Sequence, residues 1–302
     1  MSLGRTAKLN TGATIPLVGL GTWQSKANEV KKAVKKALEV GYRHIDTASI
    51  YGNEKEIGEA IKESGIPREQ LFITTKLWNT SHRPEDVLPA LETSLKNLGL
   101  DYVDLYLMHW PIDFKSGHSG IPRDENGKAI REGVDFTETY KAMEDLIATG
   151  KTKAIGVSNF TVANLSKLLS SAKIIPAVNQ VELHPENPQW ELLEFCQSKG
   201  IHNTAYSPLG STDSPLIKRD EITKIAEKHN SSNANVLIAW AQQRGTSVIP
   251  KSVTESRIAS NFQDIELDAE DLKTLKELSQ ASPPHRYCDP QESWGGIKVF
   301  DD

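Results

Sequence analysis

The chain has 302 residues, of which 38% are hydrophobic and 25% charged, and its net charge is −5. This composition is typical of a soluble globular protein, and the negative charge disfavours binding to nucleic acid or to an anionic membrane surface. No stretch approaches the roughly 18 apolar residues of a membrane-spanning helix, and the first residues lack the apolar core of a signal peptide. The only cysteines, Cys196 and Cys288, are too few for a disulfide framework, so we expect a cytoplasmic protein.

Eight β-rich runs follow one another along the chain, and segments with helical periodicity separate them. The runs are residues 16–23, 43–48, 71–78, 102–110, 152–160, 176–183, 203–209 and 246–252. The clearest helical segments are 28–41, 53–65, 84–99 and 234–245. Eight βα units predict an α/β protein with a (β/α)8 TIM barrel, and we expect one domain over residues 1–302.

Four segments lie outside this alternation. Residues 7–18 predict a β-hairpin that turns around Thr11 and Gly12 and caps the barrel floor. Three aperiodic stretches predict long loops at the substrate site, and they are residues 111–136, residues 210–220 and the tail after residue 282. In catalytic barrels such loops set substrate specificity.

Ionisable residues stand at three successive predicted strand ends: Asp46 with Tyr51 just beyond it, then Lys76, then His109. Each residue type alone is commonly structural, but strand ends of a barrel share one rim, where such side chains can act together. We expect the Lys76 ammonium, held by Asp46, to lower the pKa of Tyr51. His109 could orient a carbonyl oxygen or relay a proton. This predicts a proton donor for carbonyl reduction by hydride.

Three long segments extend this prediction: GYRHIDTASIYGNEKEIGEAI, LETSLKNLGLDYVDLYLMHW and IPKSVTESRIASN. They resemble signatures of the aldo-keto reductase family, in particular its fungal glycerol dehydrogenase-like and glyceraldehyde reductase-like members. The resemblance covers essentially the whole chain. It implies a catalytic tetrad of Asp46, Tyr51, Lys76 and His109, with Tyr51 as general acid, NADPH as hydride donor and an aldehyde or ketone as acceptor.

The resemblance also implies a set of cofactor contacts. They are Gly21, Thr22, Trp23, Asp46, Ser158, Asn159, Gln180, Tyr206, Ser207, Leu209, Ser211, Lys251, Ser252, Val253, Thr254, Arg257 and Asn261. In the family, the residues that match Ser158, Asn159 and Gln180 bind the nicotinamide carboxamide, and the tyrosine that matches Tyr206 stacks on the ring. An alternative role for Ser158 and Asn159 is the N-cap of the following helix.

The segment IPKSVTESRIASN bears on cofactor choice. Ser252 and Glu255 have the spacing of a capping box, which predicts a helix start. Lys251 and Arg257 lie near that start, where the helix dipole disfavours cations. A bound anion would explain their presence, and the family places the 2′-phosphate of NADPH here. We therefore expect NADPH to be preferred over NADH.

The expected substrate pocket is lined by aromatic and catalytic side chains: Trp23, Tyr51, Trp78, His109, Trp110 and Trp294. We expect a small-molecule carbonyl partner, no metal, and a monomer or a dimer. Trp110 follows the predicted catalytic histidine, and this residue weakens the hypothesis that the substrate is xylose. Reduction of a uronate stays an open alternative. Two other functions stay open: an NADPH-binding barrel with a non-catalytic role, and an aldolase or isomerase that uses Lys76 as a Schiff base.

Overall fold

A computed structural model describes residues 5–211 and 214–300 of the chain. Two short strands, β1 (Thr6–Lys8) and β2 (Thr14–Pro16), pair antiparallel and form the predicted hairpin. Its buried side chains Leu9 and Ile15 pack against Phe72, Leu105 and other side chains inside the barrel. The hairpin therefore covers the floor of the barrel, as the sequence predicted.

The other eight strands are parallel and pair in chain order. They are β3 (Gly19–Gly21), β4 (His44–Asp46), β5 (Phe72–Leu77), β6 (Leu105–Met108), β7 (Ile155–Ser158), β8 (Val178–Glu182), β9 (His202–Tyr206) and β10 (Ser247–Val248). Parallel bridges from Val18 to Val248 and from Gly21 to Lys251 join the two edges. The sheet thus closes on itself, and the predicted (β/α)8 barrel is confirmed.

Ten helices of the described residues cover the barrel. They are α1 (Ala27–Val40), α2 (Glu54–Ser64), α3 (Pro84–Leu98), α4 (Phe136–Thr149), α5 (Val162–Leu169), α6 (Trp190–Ser198), α7 (Asp220–Lys228), α8 (Asn233–Gln243), α9 (Glu255–Asn261) and α10 (Ala269–Gln280). In α1, Val30 and Val34 face the core, whereas Lys31 and Lys35 pair with glutamates of α2. Among the described residues, no helix could cross a membrane.

The predicted capping box at α9 is wrong, although the helix itself is present. Thr254 occupies the N-cap position, and no side chain caps the helix. Ser252 accepts a hydrogen bond from the Thr254 backbone N–H at 3.1 Å instead. Serine readily makes such a local turn, and this turn competes with the longer capping contact.

Three long connections meet above the rim, as expected. The first rim loop (residues 109–135) links β6 to α4, the second (207–219) links β9 to α7, and the tail (281–300) follows α10. Thr212 and Asp213, which belong to the predicted second loop, lie outside the described residues. The predictions of a single domain and of the oligomeric state stay predictions.

Candidate active site

The four candidate catalytic residues occupy one end of the barrel. Asp46 is the last residue of β4, Lys76 lies near the end of β5, and His109 directly follows β6. Tyr51 ends a short 3-10 helix, Ser49–Tyr51, and Gly52 terminates this helix in the left-handed conformation with φ of 65°. Because parallel strands all end at the same rim, these four side chains are brought together.

Lys76 and Asp46 form a buried ion pair at the centre of this rim. The Lys76 Nζ lies 2.5 Å from Asp46 Oδ1, and it also donates to the Thr47 carbonyl at 2.9 Å. Gln180 donates to the second carboxylate oxygen, Oδ2, at 2.7 Å. The exposed fractions of the Lys76 and Asp46 side chains are 1% and 2%. Their partners therefore fix both groups in position.

Tyr51 lies between this ion pair and His109. The Lys76 Nζ is 5.3 Å from the centroid of the Tyr51 ring, and the ring centroids of Tyr51 and His109 are 5.8 Å apart. The expectation of a lowered phenol pKa is wrong in direction. Burial, followed by the charges of Asp46 and Cys288, raises the pKa of Tyr51 well above its usual value. Asp46 opposes the field that Lys76 exerts on the phenol.

His109 is held in place through its backbone and its ring neighbours. Asn159 Nδ2 donates to the His109 carbonyl at 2.9 Å, and the Trp78 ring lies edge-on at 5.3 Å. Burial, followed by the charges of Lys76 and His82, lowers the pKa of His109 well below its usual value. The imidazole is therefore neutral at physiological pH, and one of its nitrogens carries a proton that can be donated.

Four of the expected nicotinamide contacts form one hydrogen-bonded group at the ends of β7, β8 and β9. Ser158 Oγ donates to the Gln180 carbonyl at 2.8 Å, and Tyr206 OH donates to Asn159 Oδ1 at 2.7 Å. Asn159 has φ of 64°, a conformation that asparagine tolerates better than most residues. The helix α5 is capped by Thr161, so the alternative N-cap role of Ser158 and Asn159 is wrong.

The remaining expected cofactor contacts flank the seam where the barrel closes. Gly21 approaches this seam so closely that a Cβ would lie 2.7 Å from the Ile249 carbonyl oxygen, and Thr22 donates to the Asp46 carbonyl at 2.9 Å. Lys251 and Arg257 are exposed and, within the described part of the chain, make no ion pair. The other predicted contacts belong to two segments: Ser207, Leu209 and Ser211 follow β9, whereas Ser252, Val253, Thr254 and Asn261 lie just before or within α9.

Three of the four predicted pocket tryptophans come together beside His109. The Trp110 ring stacks near His109 at 6.2 Å, and Trp294 from the tail meets Trp110 edge-on at 5.1 Å. Trp78 donates from Nε1 to the Gly120 carbonyl of the first rim loop at 2.8 Å. Trp23 is 45% exposed at the end of β3, and no described ring contact joins it to the other three.

Sequence reasoning missed several side chains that shape this pocket. Phe114, Phe300 and Ile297 pack with Trp294 in an apolar cluster, and Cys288 contacts Ser207 Oγ at 3.5 Å. The tail has no periodicity that would reveal these contacts. Among the described residues, no cluster of three or more metal-ligating side chains occurs.

Known proteins resemble this chain both in sequence and in structure. The aldo/keto reductase family profile matches residues 17–280. Glycerol 2-dehydrogenase (NADP(+)) from Saccharomyces cerevisiae is 50% identical, and the match covers 97% of this chain and 96% of that protein. D/L-glyceraldehyde reductase from Hypocrea jecorina is 45% identical over 96% of this chain and 92% of its own.

A solved structure agrees with these sequence matches. It is described as the aldose reductase from Schistosoma japonicum, and it superposes with a TM-score of 0.92. The sequence identity is 43%, and the match covers 98% of each chain. The predicted resemblance is thereby confirmed, together with the prediction of an enzyme: the chain belongs to the aldo/keto reductase family.

Proposed function

We propose that the protein reduces an aldehyde or a ketone to the alcohol with NADPH as the hydride donor. The observation that carries this proposal is the buried Lys76–Asp46 pair, with Tyr51 and His109 beside it at one point of the rim. Removing two charges from water costs several kcal/mol unless the partners fit well. A barrel without chemistry at this rim gains nothing from such a pair, so the geometry argues against a purely structural role.

NADPH, when bound, supplies a hydride to the carbonyl carbon. Tyr51 donates its phenolic proton to the carbonyl oxygen, and the raised pKa of Tyr51 keeps that proton available throughout the neutral range. The neutral His109 ring donates a hydrogen bond that orients the same oxygen. The phenolate left on Tyr51 is stabilised by the Lys76 ammonium until solvent returns the proton. In the reverse direction this phenolate would accept the alcohol proton.

Two regions of the structure suit NADPH. The Gln180 amide bonds to Asp46 and the Asn159 amide bonds to the His109 carbonyl, so both lie beside the candidate catalytic residues, a setting that suits a carboxamide. Lys251 and Arg257 are exposed and make no ion pair with the rest of the described chain, so both are free to bind a 2′-phosphate. The name of the yeast relative specifies NADP(+). These observations support NADPH over NADH.

The relatives narrow the substrate class. Their names point to glycerol, glyceraldehyde and other aldehydes, so we propose a small polar or aliphatic carbonyl. Aromatic walls from Trp78, Trp110 and Trp294 suit a substrate that is held mainly by shape. The Schiff-base alternative is disfavoured because Lys76 Nζ is buried and already bonded to Asp46 and Thr47.

A panel of aldehydes, ketoses and uronates tests the proposal. Each compound is assayed with NADPH and with NADH through the loss of nicotinamide absorbance. We expect NADPH-dependent turnover of short aldehydes such as glyceraldehyde. If NADPH binds but no carbonyl is reduced, the non-catalytic alternative is correct, and borohydride trapping of substrate on Lys76 would instead support the Schiff-base alternative.

A further inference from the structure

The tail is fixed to the barrel by a buried carboxylate. Glu182, the last residue of β8, has a fully buried side chain. Its Oε1 accepts the Tyr287 backbone N–H and its Oε2 accepts the Cys288 backbone N–H, both at 2.7 Å. Hydrogen bonds from backbone amides to an ionised carboxylate are short and strong. One side chain thus holds two consecutive residues of an otherwise irregular segment.

His184 completes this clamp from the barrel side. Its Nε2 lies 2.8 Å from Glu182 Oε1, and neither side chain is exposed. Burial opposes ionisation of Glu182, but the hydrogen bonds from His184 and the two tail amides outweigh it and lower the pKa of this carboxyl. The carboxylate is therefore anionic at neutral pH, which is the form that accepts all three hydrogen bonds.

The clamp joins the strand that carries Gln180 to the tail that carries Trp294. On the same strand, Gln180 donates to Asp46. On the tail side, Cys288 Sγ lies 3.5 Å from Ser207 Oγ. The tail then continues to Trp294, which packs edge-on against Trp110. A shift of the tail at the clamp would therefore move one wall of the pocket while leaving the Lys76–Asp46 pair in place.

A second tail contact differs in its surroundings. The Tyr287 hydroxyl donates to Glu186 Oε2 at 2.6 Å, and Glu186 also lies near Arg219, at 4.0 Å. This contact is partly open to solvent, so it contributes less to holding the tail than the buried clamp does.

We propose that Glu182, supported by His184, is a positioning residue that fixes the tail and thereby determines which carbonyl substrates the pocket accepts. The substrate part of this inference rests on the proposed function, whereas the anchoring part requires no catalysis. The described contacts of the Glu182 side chain include none of the four candidate catalytic residues, and Glu182 acts through Tyr287, Cys288 and the wall that follows them.

The chain offers a matched control for a test by Glu182→Gln. Glu144 on α4 also holds two consecutive backbone amides, those of Lys173 and Ile174, at 2.6 and 2.8 Å. These two residues precede β8, at the opposite end of the barrel from the tail contacts. Both amides bond to the same oxygen, Oε1, so Glu144→Gln replaces a carboxyl group that holds two backbone amides by an amide group, at a place away from the substrate pocket.

The first measurement is hydrogen exchange of the tail. Glutamine presents one acceptor oxygen and one donor NH2 group. One tail amide therefore keeps its acceptor, whereas the other faces an N–H group in place of an acceptor. We expect exchange over residues 285–300 to accelerate about tenfold or more in Glu182→Gln, and to stay unchanged in Glu144→Gln. Equal tail exchange in Glu182→Gln and wild type would overturn the inference, whether or not the protein reduces carbonyls.

The second measurement is steady-state kinetics with short and bulky aldehydes. We expect KM to rise about tenfold for substrates long enough to reach Trp294, and kcat to stay within about threefold. An unchanged KM with a loosened tail would contradict the role in specificity. If Glu182→Gln fails to fold, the wild type still decides: the Tyr287 and Cys288 amides must exchange far more slowly than those of residues 291–293, and equal rates would reject the clamp.

Discussion

Lys76 and the two cations Lys251 and Arg257 lie at the same end of the barrel, but in opposite surroundings. Lys76 is 1% exposed and bonded to Asp46, whereas Lys251 and Arg257 are exposed and, in the described chain, without an ion pair. The charge of Lys76 is paired with that of Asp46 inside the protein. The field of the other two is open to an incoming anion. In the proposed function, the first arrangement positions the reacting groups and the second binds the cofactor.

Substitutions in the two arrangements should also change the free energy of unfolding by different amounts. Removing one member of a buried ion pair leaves an uncompensated charge, which typically costs about 3–5 kcal/mol. Removing an exposed cation without a partner changes the free energy of unfolding by less than about 0.5 kcal/mol. Substitutions at the two places should therefore separate catalysis, cofactor affinity and stability.

The largest effect is expected for Lys76→Met. It leaves Asp46 buried without its cation, so we expect the free energy of unfolding to fall by about 3–5 kcal/mol. Turnover should fall by about 10²- to 10⁴-fold, because the phenolate formed on Tyr51 loses its neighbouring charge. Urea unfolding and kcat measure the two effects.

A double variant, Asp46→Asn with Lys76→Met, provides the control. With both charges removed, much of the stability should return, whereas turnover should not. Turnover close to wild type in Lys76→Met would show that the buried pair is structural only.

Tyr51→Phe should be nearly as damaging to turnover and far less damaging to stability. The change removes the proton donor, so we expect a loss of about 10²- to 10⁴-fold in kcat, with NADPH affinity retained. Tyr106→Phe is the matched control, because Tyr106 is a fully buried tyrosine on β6 that faces the helices and not the pocket. A Tyr51→Phe variant with wild-type turnover would remove Tyr51 from the mechanism.

The exposed cations should affect only the cofactor. In Lys251→Ala with Arg257→Ala, we expect NADPH to bind about tenfold or more weakly and NADH affinity to stay within about twofold, because only NADPH carries the 2′-phosphate. The wild-type preference for NADPH should also shrink at high salt. The charge-matched control is Lys141→Ala with Lys276→Ala, two exposed lysines on α4 and α10. Equal losses for both cofactors would contradict the phosphate role.

The barrel strands could be predicted because their signal is local. Seven of the eight runs contain one whole strand each, β9 begins one residue before the seventh run, and the alternation with helices fixes the parallel order. Even the seventh strand, which begins with the polar residues His202 and Asn203, forms where expected. His202 hydrogen-bonds to Ser247 Oγ of the neighbouring strand β10 at 3.1 Å, so its polar ring is satisfied within the floor.

The features that sequence reasoning missed depend on contacts between distant segments. Glu182 reaches Tyr287 and Cys288 across a separation that no local pattern reveals. The direction of the Tyr51 pKa shift was wrong because a sequence shows which charges are near, but neither how deeply they are buried nor how far Asp46 cancels Lys76. The Ser252 hydroxyl accepts a hydrogen bond from the nearby Thr254 backbone N–H, so the predicted capping box with Glu255 does not form.

The smallest expected effect is that of pH on reduction. Reduction requires a protonated Tyr51 and a neutral His109. The pKa of Tyr51 is raised above 10.0, so the phenol keeps its proton up to and beyond that pH. The pKa of His109 is lowered well below 6.5, so the imidazole stays neutral down to and below that pH. Both groups are therefore in the required form between these limits.

We accordingly expect kcat/KM for reduction, measured at constant ionic strength with saturating NADPH, to be level from pH 6.5 upward for as long as the Lys76 ammonium, whose pKa burial lowers, keeps its proton. Enzyme returned from each pH to neutral buffer must recover full activity, which excludes unfolding as a cause of any change. In Lys76→Met, Asp46 becomes the nearest uncompensated charge and should raise the pKa of Tyr51 further, so the residual activity should stay level over the same range. A wild-type rate that falls between pH 7 and 9 would mean that the phenol, or the Lys76 ammonium whose pKa burial lowers, loses its proton in that range.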